Sequence, residues 1–188
     1  MSAFPSLDLG IANGWILLAA YGIGFLLALV PFSRDDKARL FADPKSSLHG
    51  PKKLALHLGQ VLALAFVALT FFVPITRTVV PFWAGTCIYV LGYSTVLSAL
   101  RDFRLARAGQ PATGGPYRVS RNPQWVGLFL VLLGTAITSA AWVMIAMVLV
   151  IGCTYHLQIL EEEKACCILY GEAYLNYAHR VPRYFLWF

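Results

Sequence analysis

The sequence predicts an all-α, polytopic membrane protein, and three observations carry that reading. Of the 188 residues, 59% are hydrophobic and only 13% charged, against roughly a quarter charged in ordinary soluble domains, so there is too little polar surface to cover a globule in water. Four long stretches hold no Asp, Glu, Lys or Arg at all. When those stretches are folded back and forth across a bilayer, the basic residues collect on one side. The same composition excludes a disordered tail, a collagen-like fibre and a disulfide-stapled secreted scaffold.

Taken in order, the uncharged stretches run from Leu9 to Ser33, Leu54 to Thr76, Thr78 to Leu100 and Asn122 to Leu160. Each of the first three suits one crossing, because about 20 residues at a 1.5 Å rise cover a hydrocarbon core of roughly 30 Å. The fourth would make a helix of about 58 Å, nearly twice that thickness, whereas two crossings joined by a tight turn fit. Small polar residues at Thr138 and Ser139 mark the expected turn. The expectation is therefore five transmembrane helices, the last two a helical hairpin, in a single membrane-embedded domain spanning residues 1–188. No internal repeat and no second domain are evident. The first stretch is expected to be a retained helix, since no basic residue precedes it and no convincing cleavage site follows.

An N-terminus outside and a C-terminus in the cytoplasm place 14 of the 15 Lys and Arg residues on the cytoplasmic side, with only Arg77 outside. A wrong helix count would scatter the later clusters to the far side. Trp15, Trp83 and Trp142 then fall near the outer interface, as an aromatic belt requires. Topology accounts for the net charge of +6, so no nucleic-acid partner is expected.

Several features carry no chemistry on this reading. Cys87, Cys153, Cys166 and Cys167 lack CxxC spacing and read as buried small hydrophobes, with no metal site and no disulfide framework. Acylation of Cys166 and Cys167 beside the membrane is a weaker alternative. His49, His57, His156 and His179 do not cluster in sequence and read as structural or interfacial. Gly22 and Gly24, and Gly85 and Gly92, read as sites of close helix packing, with a lateral opening between helices as the alternative. The polar segment from Arg34 to Lys53, with Asp43-Pro44 and Gly50-Pro51, reads as a solvated loop without function.

Two further polar segments are denser. Residues 114–127 contain two glycines, Pro116, Tyr117, Arg118, Arg121, Asn122 and Pro123, so a turn is followed by a helix start. Backbone amides freed around Gly115 and two guanidinium groups make an anion-binding surface, for which the plain alternative is contact with lipid phosphates. Residues 161–183 open with Glu161, Glu162 and Glu163 and end on Val181, Pro182 and Arg183. At helical spacing Glu163, Cys167, Tyr170, Tyr174 and Tyr177 share one face, with Glu162 about 100° away.

The pattern GPYRxxR[HN]PxxxG, followed after a helical hairpin by EExxxxxxxGxxYxxYxxxVPR, resembles the integral-membrane methyltransferases that include isoprenylcysteine carboxyl methyltransferase and the phospholipid N-methyltransferases. The likeness covers Gly115 to Gly127 and Glu162 to Arg183. It implies S-adenosylmethionine as methyl donor, released as S-adenosylhomocysteine and bound without a Rossmann domain by these two segments. Consistently, no GxGxxG follows any credible strand. Carried over to this chain, the resemblance makes Tyr117, Arg121, Asn122, Pro123, Glu162, Glu163 and Tyr174 candidates for donor binding. Gly115, Arg118 and Tyr177 join them from the anion-binding turn and the tyrosine face. Arg118 or Arg121 would hold the donor carboxylate, and carboxylates and tyrosine faces suit a sulfonium and an adenine.

Methyl transfer is an in-line displacement in which the protein mainly aligns the reactants and excludes water. A carboxylate acceptor needs only an arginine to orient it. A thiol or amine needs its proton removed, for which Glu162 or Glu163 is placed. Glu163 is expected to matter more than Glu162, with Arg121 and Arg180 or Arg183 orienting donor or acceptor. Asn122 stands where the isoprenylcysteine enzymes usually show His, and Asn cannot act as a base near neutral pH. That departure counts against a prenylcysteine acceptor and leaves methyl transfer untouched. The acceptor is expected to be a membrane lipid or lipidated substrate, entering sideways between helices. The competing readings are an NADPH-dependent sterol-type reductase, which shares a similar C-terminal layout, and a non-catalytic membrane protein that keeps the fold.

Overall fold

The structure, a computed structural model, describes residues 7–42, 48–107 and 109–185. The expected Asp43-Pro44 break lies outside them. The described residues form seven α-helices and one 3-10 turn, in the order α1 (Trp15–Leu29), α2 (Arg34–Leu40), α3 (Gly50–Thr70), α4 (Val79–Leu105), the 3-10 turn (Gly115–Arg118), α5 (Pro123–Thr138), α6 (Trp142–Tyr170) and α7 (Glu172–Ala178). No strand forms among them, and an isolated antiparallel bridge joins Asn13 to Pro74.

Three helices, α3, α4 and α6, are long and apolar enough to cross a membrane. The other two apolar helices are shorter, 15 residues in α1 and 16 in α5. Leu64, Leu91 and Leu149 project from the middles of α3, α4 and α6 and stay more than half exposed. A surface as oily as the interior is what a helix surrounded by hydrocarbon presents. The same physics corrects the reading of the cysteines. Cys87 and Cys153 are exposed, and Cys166 and Cys167 are half-buried. The first two face outward from the apolar helices α4 and α6 rather than into the protein core.

Local sequence starts and stops these helices. Ser33 and Asp36 form a reciprocal capping box on α2. Proline opens α3 and α5, where its missing N–H costs nothing. The long fourth stretch breaks at Ser139–Ala141, between α5 and α6, with Ala140 in the left-handed region at φ 51°. The stretch from Glu163 to Tyr177 is not one helix, as its tyrosine rhythm suggested. Gly171, at φ 54°, ends α6 and turns the chain into α7.

Packing then fixes how the helices meet. A Cβ on Gly92 would stand 2.6 Å from the Gly127 carbonyl oxygen, and one on Gly134 would stand 2.7 Å from that of Gly85. Two glycines seven residues apart on α4 thus face two on α5, and the backbones touch directly. A second core, of Phe66, Val73, Ala136, Met144, Val148 and Ile151, binds α3 to α5 and α6. Helix α1 is tied to α4 by the Tyr89 hydroxyl, which donates to the Leu17 carbonyl at 2.7 Å.

The two ends of the bundle differ. One is closed by backbone hydrogen bonds, Gly14 to Val73, Ile75 to Ala12 and Thr76 to Thr138. There the buried Asn13 amide donates to the carbonyls of Asp8 and Phe71. Trp15, Trp83 and Trp142 sit in the first turns of the helices that start at this end. The opposite end gathers α2, the C-terminal turns of α4 and α6, the 3-10 turn and α7.

Candidate functional site

The 3-10 turn exists because Gly115 adopts φ 48°, and a side chain there would run into the Asp102 carboxylate of α4. It delivers Tyr117 to the interior and leaves Arg118 pointing to the outside. The chain then enters α5 through Asn122. An asparagine before a helix usually caps it by accepting a backbone N–H. Here no such cap forms. The Asn122 amide instead donates to Glu163 Oε1 at 2.8 Å, so a capping side chain is given over to the site.

The loop and the C-terminal segment are zipped together. Arg121 N–H donates to the Pro182 carbonyl at 2.9 Å. The Ser120 hydroxyl donates to the Arg183 carbonyl at 2.8 Å while accepting the Asn122 N–H. The Tyr177 hydroxyl donates to the Tyr117 carbonyl at 2.7 Å.

Glu163 is the hub of this end. It is 8% exposed, and its Oε2 accepts both the Nε and the Nη2 of Arg183, at 3.1 and 2.9 Å. Its Oε1 lies 3.3 Å from Arg121 Nε. That contact is an ion pair without hydrogen-bond alignment, because Nε finds no acceptor in line. The Arg121 Nη1 donates to the Ala178 carbonyl at 3.1 Å. A buried carboxylate is tolerated only when paired and hydrogen-bonded, and this one is both. Its hydrogen bonds hold Arg183 even further above the ordinary arginine range. Glu162 is held separately, accepting from Trp125 Nε1 at 2.7 Å and Gln158 Nε2 at 2.8 Å.

Between loop and tail lies a cavity of about 450 Å³, within the range of small-molecule and cofactor sites. Tyr117, Arg121, Asn122, Pro123 and Trp125 line it from the loop and α5, and Glu162 and Glu163 from α6. Tyr170, Tyr174 and Tyr177 close another wall, and Phe103 and Arg39 arrive from α4 and α2. Burial drives the phenols of Tyr117, Tyr174 and Tyr177 well above the usual tyrosine range; neighbouring Tyr177 adds to this for Tyr117, and Glu163 for Tyr174. They stay neutral and present aromatic faces.

A second, strongly apolar cavity of about 610 Å³ runs along α5 and α6 toward α3, lined by Val67, Phe129, Leu132, Ile151, Tyr155 and His156. Trp125 belongs to both walls, with its ring 5.2 Å from that of Tyr155. At the groove's edge His156 Nδ1 and the Tyr184 hydroxyl share a hydrogen bond of 2.7 Å.

Most of the residues singled out from sequence therefore meet around one hollow: Tyr117, Arg121, Asn122, Pro123, Glu162, Glu163, Tyr174 and Tyr177 line it, and Arg183 supports it through Glu163. Gly115, Arg118 and Arg180 lie outside the lining. Arg118 and Arg180 are exposed, the latter donating back to the Asn176 carbonyl. Three contributors were not foreseen. Trp125 stood inside the motif, and its indole N–H next to an acidic pair was the available signal. Gln158 stands one helical turn before Glu162. Arg39 sits in a segment read as featureless, and nothing local announces it.

A helical membrane protein with a tyrosine-lined cavity walled by both acids and arginines, beside an apolar groove, is the class that fold and site define. Residues 80–173, half of the chain, match the phospholipid methyltransferase family. The chain belongs to that family, which implies methyl transfer. Comparison with curated proteins and with solved structures gives no match.

Proposed function

We propose that this protein transfers the methyl group of S-adenosylmethionine to a lipid or lipid-linked acceptor at the cytoplasmic face of a membrane that its single domain crosses five times. The observation that carries the proposal is the pairing of two cavities across Trp125: a polar one of about 450 Å³ and an apolar one of about 610 Å³. A reaction between a charged, water-soluble donor and an oily acceptor needs such a pair of compartments meeting at one wall.

The donor, when bound, supplies an electrophilic methyl group on a sulfonium sulfur. The residues present fit it. Glu162 and Glu163 put carboxylates in the cavity wall, against which a sulfonium can lie, and Tyr174 and Tyr177 offer apolar faces to a base and a cation. Arg121 and Arg183 hold the Glu163 carboxylate in place. Trp125 and Gln158 do the same for Glu162, so neither acid must reorganise as charge moves.

The acceptor's lone pair forms the new bond to carbon, while the carbon–sulfur bond breaks and leaves its electron pair on sulfur. If an amine is the acceptor, a carboxylate of the cavity wall, Glu162 or Glu163, is placed to take the released proton. A carboxylate acceptor requires no base. Asn122, fixed as a donor to Glu163, does not serve as one. The acceptor's chain would lie in the groove between α5 and α6.

Membranes containing the protein, incubated with radiolabelled S-adenosylmethionine, should label lipid rather than protein. Titration of the purified chain should give binding of S-adenosylhomocysteine and none of NADPH. Binding of NADPH alone would favour a reductase, and binding of neither a non-catalytic role.

A further inference from the structure

Arg39 occupies an unusual position for a residue in a short surface helix. Helix α2 is anchored through Leu40, which packs on the cluster of Leu29, Phe32, Val96 and Leu100, and this holds the Arg39 side chain over the cavity. Its guanidinium carbon stands 5.0 Å from the centre of the Phe103 ring. The Nε and Nη2 atoms are buried and have no hydrogen-bond acceptor among the described residues. Among the described residues the guanidinium is paired with one carboxylate, at the long distance of 3.9 Å from Nη1 to Asp36 Oδ1, while Asp36 Oδ2 is committed to Ser33 in the helix cap.

Burying guanidinium N–H groups without acceptors is costly, so a structure that keeps them calls for an anion to complete them. The other cation among the described lining residues, Arg121, is already matched with Glu163 and with the Ala178 carbonyl. Arg183 is matched with the same carboxylate. Arg39 thus brings to the wall two donors that no described acceptor satisfies and a charge met only by the long contact to Asp36. Its stacking on Phe103 also fixes the plane in which a carboxylate would be received.

We propose that Arg39 is the anion site of the cavity and takes the carboxylate of the methyl donor's amino-acid end. This rests on the methyl-donor reading above and moves the role from Arg118 or Arg121, where the sequence pointed, to α2. The helix becomes part of the donor site, reached from a part of the chain about 80 residues before the motif loop.

The test is calorimetric titration of the full chain with S-adenosylhomocysteine and with its decarboxylated analogue. The native protein should bind the carboxylate-bearing compound more tightly. Arg39→Gln, which keeps most of the stem over Phe103, should weaken S-adenosylhomocysteine about ten- to a hundredfold, the range for a hydrogen bond to a charged group, and leave the analogue unchanged. Arg39→Lys should recover part of the loss. Equal affinity of Arg39→Gln and native protein for S-adenosylhomocysteine would overturn the proposal, as would equal losses for both compounds. So would an effect confined to the KM of the lipid acceptor, which would assign Arg39 to a lipid phosphate. Failure of the native protein to bind either compound would overturn the methyl-donor reading itself, and this inference with it.

Discussion

Replacing Glu163 by glutamine removes one negative charge from a position where two guanidinium groups converge. The side chain keeps its shape, and its remaining carbonyl oxygen accepts from only one of the two sides. Arg183, at 2.9 Å, and Arg121, at 3.3 Å, are then left close to each other with no counter-charge. One-sided removal of a buried ion pair costs about 3–5 kcal/mol. The lower end applies here, because the Arg183 side chain is 24% exposed and water screens part of its charge. A loss of about 3 kcal/mol lowers the unfolding midpoint of a chain this long by about 6–12 °C, measurable by a thermal scan in detergent. The double substitution of Glu163 and Arg183 by glutamine should cost less than the two single changes added together, since each single change already breaks their shared contact. A midpoint unchanged in Glu163→Gln, or strict additivity in the double variant, would refute the hub.

Three other outcomes follow from the geometry. Trp125→Phe deletes the indole N–H that donates to Glu162 at 2.7 Å and should cost about 1.5–3 kcal/mol, as for a hydrogen bond to a charged group; a thermal scan that shows no shift would remove Trp125 from the wall between the cavities. Gly127→Ala would set a methyl group 2.7 Å from the backbone oxygen of Gly92, so α4 and α5 must separate; a loss of about 1–3 kcal/mol is expected, and a stable variant would show that the contact yields. Tyr117, Tyr174 and Tyr177 have folded-state values raised by burial. Their stabilisation is complete below about pH 10 and lost as pH climbs toward the raised values, by up to about 1.4 kcal/mol per pH unit for each. The unfolding midpoint should fall as pH rises above about 10, less steeply in Tyr174→Phe, and a flat profile there would contradict their burial.

Much of the fold was legible because its signals are local. Long uncharged runs announce apolar helices whatever their neighbours, and Thr138 and Ser139 marked the hairpin within two residues of its observed centre at Ala140. The tyrosine face was half legible. Its spacing brought Tyr174 and Tyr177 beside Glu163, but the helix assumed to connect them ends at Gly171, and α7 reaches the cavity from a new direction. The cysteines misled, because burial rules learned from water-soluble interiors do not distinguish a core from a lipid-facing surface.

The sequence by itself determined the chemistry of the two motif segments and their order along the chain, since residue types and spacing within a contiguous stretch need no partner to be read. Tertiary structure decided which charges meet. Arg118 and Arg121 stand three residues apart and look alike in sequence, yet the turn at Gly115–Arg118 sends one outward and the pairing of Arg121 with Pro182 and Glu163 draws the other in. Arg39 reaches the same cavity only because α2 packs across the end of α4. Coulomb attraction depends on distance in space, and the crossing of packed helices, not separation along the chain, sets that distance.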